Sequence, residues 1–131
     1  MSGYLLDTNV TLIALANPSR LAPAARRAIL MGPNVLSVIT YWEVVLKSMK
    51  GNLDVGDPQS WWRDALDQLA ASPLALRAEH VAGVCDLPPI HRDPFDRVLI
   101  AQAIAEELRF VSVDETVRSY ASAGLRVIPV K

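Results

Sequence analysis

Cysteine is nearly absent from these 131 residues: Cys85 is the only one, so no internal disulfide can form. No apolar stretch approaches the ~20 residues that a membrane helix needs. The opening Met-Ser-Gly-Tyr has neither the basic region nor the apolar run of a signal peptide, so a soluble, cytoplasmic chain is expected. There is no excess of one charge, because the formal net charge is −1 and the pI is about 6.1. A basic footprint for non-specific nucleic-acid binding is therefore missing from the chain as a whole. Lysine is scarce, with only Lys47, Lys50 and Lys131, so most cations are arginines, whose planar fork suits phosphate. Histidine is limited to His80 and His91, and with one cysteine they make no zinc-type cluster. Repeats and low-complexity linkers are also lacking.

What is present is apolar content of 51% with 21% charged residues, enough to bury roughly two thirds of the unfolded surface in one domain, residues 1–131. Short apolar runs alternate with helical stretches. Tyr4-Leu5-Leu6 reads as a strand ending at Asp7, and Val10 to Ala16 as a helix closed by Asn17-Pro18. Pro23 to Met31 reads as a helix stopped by Gly32-Pro33, and Val35 to Val38 as a second strand. Thr40 is a candidate N-cap with Glu43 as its capping-box partner, on a helix that runs to Lys50. Asp57-Pro58 opens the next helix, to Ala71. Leu74 to Leu76 is a candidate third strand, and Ala78 to Cys85 a short helix.

Asp93-Pro94 starts a helix to Leu108 that is apolar on nearly every side. Phe110 to Val113 is a strand ending at Asp114, Glu115 to Ala121 a short helix closed by Gly124, and Val127 to Val130 a last strand. Continuously apolar strands separated by helices predict an α/β fold with a parallel sheet covered on both faces.

Ligands of open parallel sheets bind beyond the carboxyl ends of the strands. Asp7 and Asp114 both follow a strand, so parallel strands place them at one edge. Asp96 is the third residue of its helix, where the side chain leans back toward the same edge. Its bland role is to complement the helix dipole, as Asp93 caps the helix. Glu43 has bland roles too, in the capping box or as an i, i+4 partner of Lys47. Four carboxylates drawn together into a partly dry site require a cation. Two divalent ions there add four positive charges and carry the formal charge from −1 to +3, so a polyanionic substrate becomes plausible. All-oxygen donors suit hard cations such as Mg2+ or Mn2+.

Tyr4-Leu5-Leu6-Asp7-Thr8-Asn9, Ser37-Val38-Ile39-Thr40-Tyr41-Trp42-Glu43-Val44, Asp93-Pro94-Phe95-Asp96-Arg97-Val98-Leu99-Ile100-Ala101-Gln102-Ala103 and Val113-Asp114 together resemble the PIN-domain family. More narrowly they resemble the VapC-type toxins of toxin–antitoxin pairs, over essentially the whole chain. The resemblance implies a three-layer α/β/α sandwich with a short central parallel sheet. It also implies a Mg2+- or Mn2+-dependent endoribonuclease, usually a homodimer, that is held inactive by a cognate antitoxin protein. The family's acids fall on Asp7, Glu43, Asp96 and Asp114, as metal-binding and catalytic residues, with Thr8, Asn9 and Ser112 as polar supports. Many relatives have threonine at the position of Ser112, which keeps the hydroxyl. Asp93 matches a residue common in this subgroup but is not a core acid.

On this reading Asp7 and Asp96 hold the principal ion, and Glu43 and Asp114 complete its shell directly or through water. One ion or two would serve, two clamping a phosphodiester for in-line attack by water. Two other functions fit part of the pattern. Aspartate-based phosphoryl transfer uses a strand-end aspartate, but such sites generally add a second acid or a lysine nearby, and here Asn9 follows. A non-catalytic partner-binding subunit would use the same acids only to satisfy helix ends. Trp61 and Trp62 point about 100° apart on one helix, so either both pack on neighbouring helices or one anchors an interface. Arg26, Arg27, Lys47 and Lys50 are candidate contacts to RNA or antitoxin.

Overall fold

Each short apolar run becomes a strand because its residues can be buried alternately on two sides of one sheet. The computed structural model describes residues 3–90 and 93–128. Its strands are β1 (Tyr4–Leu6), β2 (Asn34–Ser37), β3 (Ala71–Leu74), β4 (Arg109–Val111) and β5 (Arg126–Ile128), paired in parallel in the order β3-β2-β1-β4-β5. The helices are α1 (Thr8–Ala16), α2 (Pro23–Met31), α3 (Val38–Met49), α4 (Pro58–Gln68), α5 (Ala78–Val84) and α6 (Pro94–Ala105). Short 3-10 helices cover Pro18–Arg20 and Glu115–Ala123.

Neighbouring residues of a strand face opposite ways, and the core divides accordingly. Leu5 and Phe110 join Ile39 of α3 and Leu99 and Ile100 of α6 on one face. Leu6, Leu36 and Val111 join Val10 of α1, Ala25 of α2 and Ala65 of α4 on the other. The expected α/β/α layering follows. Trp61 and Trp62 both pack against the second cluster, and Trp62 stacks on Tyr41 with ring centroids 5.0 Å apart.

Several expected boundaries move. α3 begins at Val38, with Ser37 as its N-cap accepting from the Ile39 N–H at 3.0 Å. Thr40 is therefore inside the helix, and no capping box with Glu43 exists. Serine at the strand end has a free hydroxyl for the helix's orphan N–H, which starts the helix one turn early. α4 ends at Gln68, and β3 begins at Ala71, three residues before the expected strand at Leu74. Pro73 lies within it, which is tolerated because β3 is an edge strand. α6 stops at Ala105 rather than Leu108, and Glu107 turns the chain with φ of 54°. β4 ends at Val111, so Asp114 stands three residues past the strand. It is the N-cap of the following 3-10 helix and accepts from the Thr116 N–H at 2.9 Å. That helix runs to Ala123, and Gly124 closes it at φ 101°. β5 starts at Arg126; Pro129 and Val130 of the expected last strand lie outside the described residues.

Candidate active site

Strand order reverses between β1 and β4, because β2 and β3 lie on one side of β1 while β4 and β5 lie on the other. A crevice forms at the carboxyl ends of strands at such a point. The register fills it. Leu6 pairs with Val111, so the next residues, Asp7 and Ser112, emerge side by side. The Ser112 hydroxyl donates to Asp7 Oδ2 at 2.7 Å and accepts from the Asp114 N–H at 3.0 Å. Asp7 also caps α1, its Oδ1 accepting from the Thr8 N–H at 2.7 Å. β2 is the other neighbour of β1, so α3, leaving β2 at Ser37, starts beside α1. There the Thr8 hydroxyl donates to Glu43 Oε1 at 2.8 Å and lies 3.0 Å from the Thr40 hydroxyl.

A chain of hydrogen bonds thus links Asp114, Ser112, Asp7, Thr8 and Glu43, which come from three separate parts of the sequence. Asp96 joins them through space. It is half-buried in the first turn of α6, and its carboxyl is pushed up from 3.8 to about 7. Burial is the largest cause, followed by the negative charges of Asp7, Asp93, Glu43 and Asp114. Asp7 is raised as well, by burial first, then by Glu43 and Asp114, against the lowering bonds from Ser112 and Thr8. The fold therefore brings Asp7, Glu43, Asp96 and Asp114 into one field, with Asp93 at its rim.

The supporting residues divide. Thr8 and Ser112 bond acids directly, whereas Asn9 is exposed on the first turn of α1. Asp93 caps α6, accepting from the Phe95 N–H at 2.9 Å. Thr40, expected as a helix cap, instead meets the Thr8 hydroxyl, and Thr11 is an addition that the sequence did not single out. The Thr11 hydroxyl donates to the Asp7 carbonyl at 2.9 Å, and only the i, i+4 spacing marks that pair. Lys47, one turn along α3, places Nζ 2.9 Å from Glu43 Oε2, the ion pair that the same spacing allowed.

A tighter group of ligand atoms exists elsewhere. Glu79, His80 and Glu106 are the one described set of three whose candidate atoms lie within 4.8 Å of one another. His80 cannot serve it. Its Nδ1 accepts from the Arg77 N–H at 3.0 Å and lies 3.3 Å from the Gln102 amide nitrogen, so the ring proton is on Nε2, which lies 3.0 Å from Glu106. Both nitrogens are engaged. The switch-point acids fit a hard cation better: every donor is a carboxylate oxygen, burial and neighbouring acids disfavour the charged forms of Asp7 and Asp96 as a cation would not, and the bonds from Ser112 and Thr8 aim the carboxylates without using all their lone pairs.

Comparisons with known proteins find the same fold. A chain of the VapBC2 complex from Rickettsia felis, bound to a DNA fragment from its promoter, has the same fold, with TM-score 0.71 and 16% identity over 97% of each chain. A chain of DNA-bound VapBC from Salmonella typhimurium has TM-score 0.69 and 16% identity over 97% of each chain. FitAcB from Neisseria gonorrhoeae has TM-score 0.60 and 23% identity over 96% of each chain. No curated protein sequence gives a significant match. The sequence profile of the PIN domain matches residues 4–123, nearly the whole chain. With the fold, the profile and the acid-lined switch point in agreement, the chain belongs to the PIN domain family.

Proposed function

We propose that this protein is a divalent-metal-dependent endoribonuclease and the toxin of a toxin–antitoxin pair. The observation that carries the reading is the hydrogen-bonded chain from Asp114 through Ser112, Asp7 and Thr8 to Glu43 at the switch point, in a chain whose family is a nuclease family. Asp7 and Asp96 are the principal ligands of Mg2+ or Mn2+, and Glu43 and Asp114 complete the shell. A bound divalent ion supplies Lewis-acid polarisation of a phosphoryl oxygen and makes water a stronger nucleophile near neutral pH. The chain's own part is positional. Ser112 fixes Asp7 and the backbone of Asp114 together, Thr8 fixes Glu43, and burial keeps these carboxylates from relaxing into solvent.

The toxin reading is supported by the solved relatives, which are toxin–antitoxin assemblies or FitAB-type complexes. It brings with it a cognate antitoxin protein, a homodimer and a cytoplasmic location. No helix among the described residues is long and apolar enough to cross a membrane. The test is cleavage of single-stranded RNA in Mn2+ by the wild type and by Asp7→Asn. The variant is expected to lose at least about 100-fold in rate, on the scale of removing a group that stabilises transition-state charge. Wild-type cleavage by Asp7→Asn would refute these roles, and formation of a phospho-aspartate at Asp7 would favour phosphoryl transfer instead.

A further inference from the structure

A groove of about 520 Å3 is lined by Glu43 and Asp93 together with Lys47, Lys50 and Asn52 from α3 and the turn after it. Phe95 is its apolar wall, braced edge-on by Trp42 with ring centroids 5.1 Å apart. Glu43, Lys47 and Lys50 are spaced i, i+4 and i+7, so they follow one another along one face of α3. At ~1.5 Å of rise per residue, the two lysines lie ~6 and ~10.5 Å beyond the glutamate along the helix axis. Stacked nucleotides in one strand advance ~3.4 Å each, so this span matches about three of them.

A strand cut in its interior must continue past the scissile phosphate, and each added nucleotide brings a phosphate that needs a cation. Lys47 is placed to supply one. Its side chain is 42% exposed while its ammonium rests 2.9 Å from Glu43, so it is free to turn toward a ligand once a metal ion takes over the charge of Glu43. Lys50 is exposed at the C-terminus of α3 and has no acidic partner among the described residues.

Resting on the ribonuclease reading, we propose that Lys47 and Lys50, with Asn52, form a backbone-binding track for the single-stranded RNA on one side of the cut. Continuity decides the occupant. The groove shares Glu43 with the acid cluster, so a strand held there passes directly onto the lysines. The two ammonium groups bind phosphates without reading bases, and Asn52 offers an amide to a sugar or phosphate oxygen.

The experiment measures kcat/KM for a mixed-sequence, fluorophore-quencher RNA in Mn2+ across a range of salt, for wild type, Lys47→Ala, Lys50→Ala and Arg63→Ala. Each lost phosphate contact on a single strand flattens the plot of log kcat/KM against log salt by about 0.7. Both lysine variants are expected to show that change, and Lys50→Ala to raise KM severalfold with kcat unchanged. Arg63→Ala, exposed on α4 outside the groove, is expected to keep the wild-type slope. Unchanged slopes in both lysine variants of an active enzyme overturn the track and leave the groove to an acidic protein segment. Equal flattening by Arg63→Ala also overturns it, because the effect is then general charge. A wild type that cleaves no RNA defeats the ribonuclease reading first, and the track falls with it.

Discussion

Ser112 acts on two acids at once, donating to Asp7 and accepting from the backbone of Asp114. Outer groups of this kind typically change metal affinity or activity by about 10–100-fold when removed. Ser112→Ala is expected to weaken Mn2+ binding by that factor, as read by calorimetry, while Ser112→Thr retains it. Asp96 adds a pH dependence whose sign is fixed by its shift. The folded, metal-free chain keeps a proton on Asp96 up to about 7, whereas the unfolded chain releases it near 3.8. Between those values the folded state binds the extra proton, so this contribution to stability is full below the lower value and is lost as pH rises through the upper. Asp7 is shifted the same way. In the absence of divalent ions, the melting temperature of Asp96→Asn minus that of wild type is expected to grow from about pH 4 to about pH 8. A gap that stays constant with pH would show that Asp96 is not under this strain.

At the scale of elements, α3 and α6 deliver Glu43 and Asp96, and a buried polar network holds the pair in place. The Ser37 hydroxyl donates to Gln102 Oε1 at 2.5 Å, and the Gln102 amide reaches the Ala75 carbonyl and His80 Nδ1, both at 3.3 Å. The Arg97 guanidinium braces the loop before α6 through the carbonyls of Pro88 at 3.1 Å and Val84 at 3.2 Å. Gln102→Ala leaves Ser37 without its acceptor and is expected to cost about 1–3 kcal/mol in denaturant unfolding. A near-zero cost would mean that the network is not structural.

The helices were legible in the sequence where proline, glycine or a capping acid punctuates them, as at Pro23, Asp57-Pro58 and Asp93-Pro94. Strand ends were less legible. Val38 and Val113 are β-formers that the helix cap at Ser37 and the turn at Asp114 remove from the sheet. β3 was misplaced because Pro73 reads as a breaker until the strand is known to be at an edge. Strand-end position located Asp7 directly after β1, whereas Asp114 stands three residues past β4 and Glu43 and Asp96 arrive on α3 and α6. The Ser37–Gln102–His80 network left no trace in spacing, since its members lie 65 and 22 positions apart.

For the molecule as a whole, the parallel order β3-β2-β1-β4-β5 puts its switch point where the negative charge gathers, although the net charge is only −1. The imbalance is local. A polyanion therefore approaches this face only after cations have changed its sign. On the proposed function, the acids at the switch point, rather than the Glu79–His80–Glu106 group, hold the ion. Calorimetric titration of Mn2+ into wild type, Asp7→Asn and Glu106→Gln tests it most directly. Wild type and Glu106→Gln are expected to bind and Asp7→Asn to lose binding; binding retained by Asp7→Asn and lost in Glu106→Gln would place the ion at the other group.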